Sequence, residues 1–140
     1  MNKTQKSVNS NTAQAIPRRI LVADDNRTIR NAISTFLRFM GFEVALAGTG
    51  IEALAVFLES SFDLVLTDFQ MSAMDGLSLA RHIKARSPST PVILITGSDR
   101  ETVRNKAEGG PVDSVIFKPF SLEDLLRTVQ GALVSRKRKH

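Results

Sequence analysis

The sequence predicts an α/β fold: a doubly wound, five-stranded parallel sheet with five helices in a single domain. Three observations carry that prediction. Short apolar runs of strand length alternate with segments whose apolar residues recur at helical spacing. The alternation runs the length of a 140-residue chain with no internal repeat and no interdomain linker. A chain of that length can bury one sizeable core. Such alternation implies a parallel sheet covered on both faces, and right-handed crossovers favour the doubly wound form.

Each element has its own signal. Ile20-Leu21-Val22-Ala23 is the first strand, followed by a helix with Ile29, Ile33, Phe36, Leu37 and Met40 on one stripe. Gly41 ends that helix. Strand two is Val44-Ala45-Leu46, and Thr49 with Glu52 forms a capping box for a helix through Phe57-Leu58. Strand three is Leu64-Val65-Leu66, helix three runs from about Gly76 to Arg86, and strand four is Val92-Ile93-Leu94-Ile95. Ser98 with Glu101 is expected to cap a fourth helix, poor in apolar anchors, that runs into Gly109-Gly110-Pro111. Strand five is Ser114-Val115-Ile116-Phe117. Ser121 with Asp124 caps the last helix, whose apolar face is Leu122, Leu125, Leu126, Val129 and Leu133. The expected organisation is a polar leader over 1–17, a folded domain over 18–135 and a basic tail over 136–140.

Composition narrows the function. The net charge of +5 belongs to the ends, where eight of the 19 basic residues lie. Between residues 20 and 135 there are 11 basic against 14 acidic residues, a net of −3. A short basic tail without interleaved aromatics gives no base-stacking surface, so nucleic acid is not an expected partner. No apolar run approaches bilayer length and the leader lacks the apolar stretch of a secretory signal, so membrane insertion is not expected and a cytoplasmic location is. The absence of cysteine excludes disulfide and thiolate chemistry.

In an open α/β sheet, functional groups gather beyond the carboxyl ends of the strands. There the sequence places Asp24 and Asp25 after strand one, Asp68 after strand three, Thr96 after strand four, and Lys118-Pro119 after strand five. Helix capping accounts for any one of these. It accounts poorly for the set, since Asp68 precedes a long loop and Lys118 is no N-cap. Three crowded carboxylates repel one another unless a cation holds them, and Mg2+ suits an all-oxygen donor set. A carboxylate can accept a phosphoryl group, with the metal and an ammonium neutralising its oxygens. Thr96 is placed to hydrogen-bond a phosphoryl oxygen.

The run Ile20 to Asp25, Asp68 with Met71, Met74-Asp75-Gly76, Thr96-Gly97 and Lys118-Pro119-Phe120 together resemble the receiver family of two-component response regulators. The resemblance covers about residues 18–135. It implies the flavodoxin-like strand order 2-1-3-4-5 and phosphorylation of Asp68 by a sensor histidine kinase or a histidine phosphotransfer protein. It also implies Mg2+ on Asp25, Asp68 and the Gln70 backbone carbonyl, with Asp24 acting through bound water. Lys118 would pair with the phosphoryl group and Thr96 would be the switch hydroxyl. The Lys118-Pro119 bond resembles one that is cis in the family. A downstream protein target, and a homodimer through the face of helix four, strand five and helix five, are further implications. Such a protein is no enzyme beyond self-phosphorylation from a donor and slow autodephosphorylation.

The sequence departs from the family at three places. Val115 stands where the switch position is often Tyr or Phe, and Phe117 lies one position too close to the lysine to replace it. Ser72 replaces a usual proline, and helix four has few anchors. With little ring to move, the response is expected in the loop from Gly97 to Arg100 and in helix four. Rival readings fit less well. An aspartate-phosphorylating phosphatase needs a second acid two residues after Asp68, where Gln70 stands. Gly48-Thr49-Gly50 has neither a P-loop lysine nor a dinucleotide fingerprint. An interaction module that works without phosphorylation is the alternative, set against retention of all five site residues. A stand-alone receiver and a piece of a longer protein both fit the sequence; the polar leader and basic tail make the first the expectation.

Overall fold

A computed structural model describes residues 16–107 and 110–138. The leader up to residue 15, Gly109 and Lys139 lie outside them. Ten elements alternate: β1 (Arg19–Ala23), α1 (Arg27–Phe39), β2 (Glu43–Ala47), α2 (Gly50–Glu59), β3 (Leu64–Asp68), α3 (Gly76–Arg86), β4 (Val92–Thr96), α4 (Arg100–Ala107), β5 (Ser114–Phe117) and α5 (Leu122–Arg138). All strand pairs are parallel, in the order β2-β1-β3-β4-β5. This is the predicted doubly wound sheet. No helix among the described residues is long and apolar enough to cross a membrane.

The strands alternate sides, as their period of two requires. Ile20, Val22, Leu64, Leu66, Ile93 and Ile95 pack against Ile33 and Leu37 of α1 and Leu125, Val129 and Leu133 of α5. Leu21, Ala23, Val65 and Val92 face Ala53 and Phe57 of α2 and Leu79, Ala80 and Ile83 of α3. Leu94 continues that second face towards Val103 of α4. The central strands β3 and β4 are buried at every residue, whereas the edge strands β2 and β5 are partly exposed. Each large apolar side chain so buried contributes roughly 1.5–3 kcal/mol before the entropy of ordering is subtracted.

Several local expectations change. Asp99, not Ser98, caps α4: its Oδ1 accepts from the Thr102 N–H at 2.9 Å and its Oδ2 from the Thr102 hydroxyl at 2.8 Å. A carboxylate accepts two bonds there where a serine would accept one. Thr49 does cap α2, but Glu52 accepts from the Gly48 N–H at 2.6 Å rather than from Thr49's own, so the box closes one residue early. Leu122 is 46 % exposed and does not join the buried face of α5; it sits in the first turn of the helix and lines a groove with Phe36 and Phe39 of α1. Helix α5 runs from Leu122 to Arg138. Gly41, at φ +100°, ends α1 in the left-handed conformation glycine adopts without strain.

Candidate functional site

The sheet register assembles the site. Ala23 lies opposite Thr67, so Asp24, one residue on, arrives beside Asp68 at the end of β3. Thr96 ends β4 opposite Phe117, which places Lys118 just beyond. Asp24, Asp25 and Asp68 bring carboxylate oxygens within 4.8 Å of one another. Lys118 Nζ lies 3.2 Å from Asp68 Oδ1. The surrounding cleft, about 420 Å³, holds all five residues picked from the sequence together with Gln70, and adds Asn26, Ile29 and Gly97.

The acids differ in their surroundings. Asp24 and Asp68 are buried and Asp25 is exposed. Burial raises the pKa of Asp68; the charge of Asp24 adds to that, and Lys118 offsets it in part. Burial raises Asp24 too, against the lowering effects of the Asn26 N–H and Lys118. Asp24 Oδ1 accepts from the Asn26 N–H at 2.9 Å, while Oδ2 is buried with no hydrogen-bond partner. Burying an uncompensated carboxylate oxygen is costly. That orphaned atom, beside two further carboxylates, fits a hard cation with oxygen ligands.

Two glycines hold the loop after β3 close. A Cβ on Gly76 would stand 2.3 Å from the Asp68 carbonyl oxygen, and one on Gly50 would stand 2.4 Å from the Met74 carbonyl oxygen. Between them Ala73 adopts φ 69°, with the Met74 N–H donating to Ser72 O at 2.7 Å and the Gly76 N–H to Phe69 O at 2.8 Å. A left-handed alanine costs roughly 1 kcal/mol. The loop is therefore tied by backbone bonds at the place where proline was missed. Thr96 Oγ1 accepts from the Ser98 N–H at 2.9 Å, and the Lys118 N–H donates to Thr96 O at 2.8 Å. The Lys118-Pro119 peptide is cis.

Sequence reasoning missed three participants. Asn26, the N-cap of α1, also holds Asp24, and Arg30 donates to the Asp24 carbonyl at 2.8 Å. The Arg100 guanidinium lies 4.2 Å over the ring of Phe117, the aromatic set aside on spacing. The capping residue Asn26 had a sequence signal in its type and position; the two arginines had none.

The chain is similar to known proteins in both sequence and fold. Residues 20–130 match the family described as the response regulator receiver domain. The chain is 34 % identical over 118 residues to response regulator MprA of Mycobacterium sp. (strain KMS), covering 84 % of this chain and 51 % of that one. It thus spans about half the length of the curated relatives it matches. A response regulator receiver domain protein from Clostridium thermocellum superposes with TM-score 0.82 at 31 % identity, over 88 % of this chain and 99 % of that one. The receiver domain of sensor histidine kinase PA1611 from Pseudomonas aeruginosa, with a magnesium ion coordinated in its active-site cleft, superposes with TM-score 0.77 at 27 % identity, over 84 % of this chain and 98 % of that one.

Proposed function

This chain belongs to the response regulator receiver domain family, and we propose that within it Asp68 is the residue that accepts the phosphoryl group. Receiver domains of two-component systems are signalling modules rather than enzymes in the ordinary sense; they interact with histidine kinases and downstream effectors. The observation that carries the assignment is the ammonium of Lys118 at 3.2 Å from Asp68, on the edge where three carboxylates converge.

In the proposed reaction a carboxylate oxygen of Asp68 forms a P–O bond as the P–N bond of a phosphohistidine breaks, and the bonding pair stays on the imidazole nitrogen. The donor is a sensor histidine kinase or a histidine phosphotransfer protein. Lys118 pairs with the transferred oxygens, and the Thr96 hydroxyl donates to one of them. Asp25, Asp68 and the Gln70 backbone carbonyl would hold Mg2+, with Asp24 acting through water, and the ion supplies neutralisation of the phosphoryl charge. The magnesium in the similar PA1611 receiver supports that reading. Slow self-phosphorylation from small donors, autodephosphorylation and a cytoplasmic location belong to the same proposal. So does self-association through the α4–β5–α5 face, where Val112, Val115 and Phe117 are half-buried. With all five residues assembled, an interaction module acting without phosphorylation gains no support.

An acyl-phosphate donor, added with and without Mg2+, tests the assignment by intact mass. The wild-type chain is expected to gain one phosphoryl group only with Mg2+, and Asp68→Asn none. An equal gain in the substituted chain would overturn it. Lys118→Ala is expected to leave the chain folded while uncoupling phosphorylation from the conformational response. Hydrogen exchange with and without beryllofluoride reads the coupling, and unfolding of this variant would make the lysine structural.

A further inference from the structure

We infer that Arg30 is a positioning residue for the aspartate pair at the end of β1, and through it for Mg2+ affinity. The inference rests on the metal reading above. Asp24 is held at three points: its N–H donates to Ala47 O at 3.1 Å, its Oδ1 accepts from the Asn26 N–H at 2.9 Å, and its carbonyl accepts from Arg30 Nη1 at 2.8 Å. Oδ2 alone is left without a partner. The first two bonds come from backbone groups that most residues at those positions would supply. The third depends on one side chain.

The carbonyl that Arg30 grips belongs to the peptide joining Asp24 to Asp25. Fixing it orients the plane from which both carboxylates project, and metal affinity is sensitive to groups that orient the ligands. The guanidinium reaches this carbonyl past Gly48, where a Cβ would stand 3.1 Å from Nη1. Glu52 Oε1 lies 3.7 Å from the same point and accepts the Gly48 N–H. The α1 arginine thus lies between the end of β1 and the start of the β2–α2 connection, in space that a glycine leaves open.

Charge and position predict opposite signs, which makes the inference testable. On Coulomb's law alone, removing a cation near a carboxylate cluster strengthens binding of a dication. Loss of positioning weakens it. Mg2+ would be titrated calorimetrically into the unphosphorylated wild-type chain, Arg30→Met and Arg30→Lys, with melting in EDTA recorded separately as a measure of folding. Arg30→Met is expected to weaken Mg2+ affinity by about tenfold. Arg30→Lys, which keeps the charge but loses the planar fork, is expected to weaken it less. Affinity equal to or tighter than wild type in Arg30→Met would overturn the inference. Should that chain fail to fold, Arg30→Lys decides: weaker binding supports positioning, and unchanged binding overturns it. A wild-type chain that bound no Mg2+ would remove the metal reading itself, and the inference with it.

Discussion

The two ends of the sheet treat their acids in opposite ways. At the amino end, acidic side chains close the fold. Asp63 Oδ2 accepts from the Arg19 N–H at 2.8 Å, and Glu43 lies 3.3 Å from Arg19 Nε. Asp113 Oδ2 accepts from both the Val92 N–H at 2.8 Å and Lys84 Nζ at 2.7 Å, while the same lysine binds Thr90 O at 2.8 Å. At the carboxyl end, Asp24 and Asp68 are buried beside a third carboxylate with one lysine among them. One end satisfies its charges internally. The other leaves them to be completed from outside, which is what a site for a cation and a phosphoryl group requires.

Removing a carboxylate should therefore have opposite effects at the two ends. The largest expected effect is at the amino end. Asp113→Ala leaves the Val92 N–H without its acceptor and takes one acceptor from Lys84 where β4 and β5 begin, and should destabilise the protein by about 1–2 kcal/mol. Urea unfolding measures this, and phosphoryl uptake at Asp68 should persist. A neutral result would mean that water replaces the carboxylate without loss, and the contrast between the ends would weaken.

A smaller effect, of opposite sign, is expected from Asp68→Asn without Mg2+. Asp68 has a folded pKa above its unfolded value, so its ionised form is disfavoured by folding and costs stability near neutrality. The asparagine variant should be the more stable there, by up to about 1 kcal/mol. As pH falls through the raised pKa, wild-type Asp68 takes up its proton and the gap should narrow. Melting curves of both chains across that range check the sign; a gap that widened on acidification would show that the Lys118 pair outweighs burial.

The smallest effect belongs to Asp99, the exposed cap of α4. The backbone and hydroxyl of Thr102 lower its pKa, so its contribution is present above the unfolded value and is lost as pH falls through the folded one. Asp99→Ala should lower the melting temperature slightly at neutral pH and not at all once the cap is protonated. That pH dependence is the mirror image of the one expected for Asp68→Asn.

Much of this was legible beforehand for local reasons. The strand and helix periods mark the ten elements, and the rule that sites gather at strand ends brings Asp24, Asp25, Asp68, Thr96 and Lys118 together. The cap of α4 was misread because Ser98 and Asp99 are both good caps. Which of the two takes the role depends on where the chain leaves β4, one residue beyond Ile95. Leu122 was misread because helical spacing assigns a face but not which positions along that face are covered.

The sequence by itself determined the fold class, the strand-end residues and the chemistry those residues can perform, since all three follow from residue type and short-range period. Tertiary structure alone decided that Asp24 Oδ2 is left unpartnered, that Arg30 grips the peptide between two acids, that Arg100 lies over Phe117, and that Lys84 serves Asp113. These depend on rotamers and on distances between elements, which packing sets and no local pattern records.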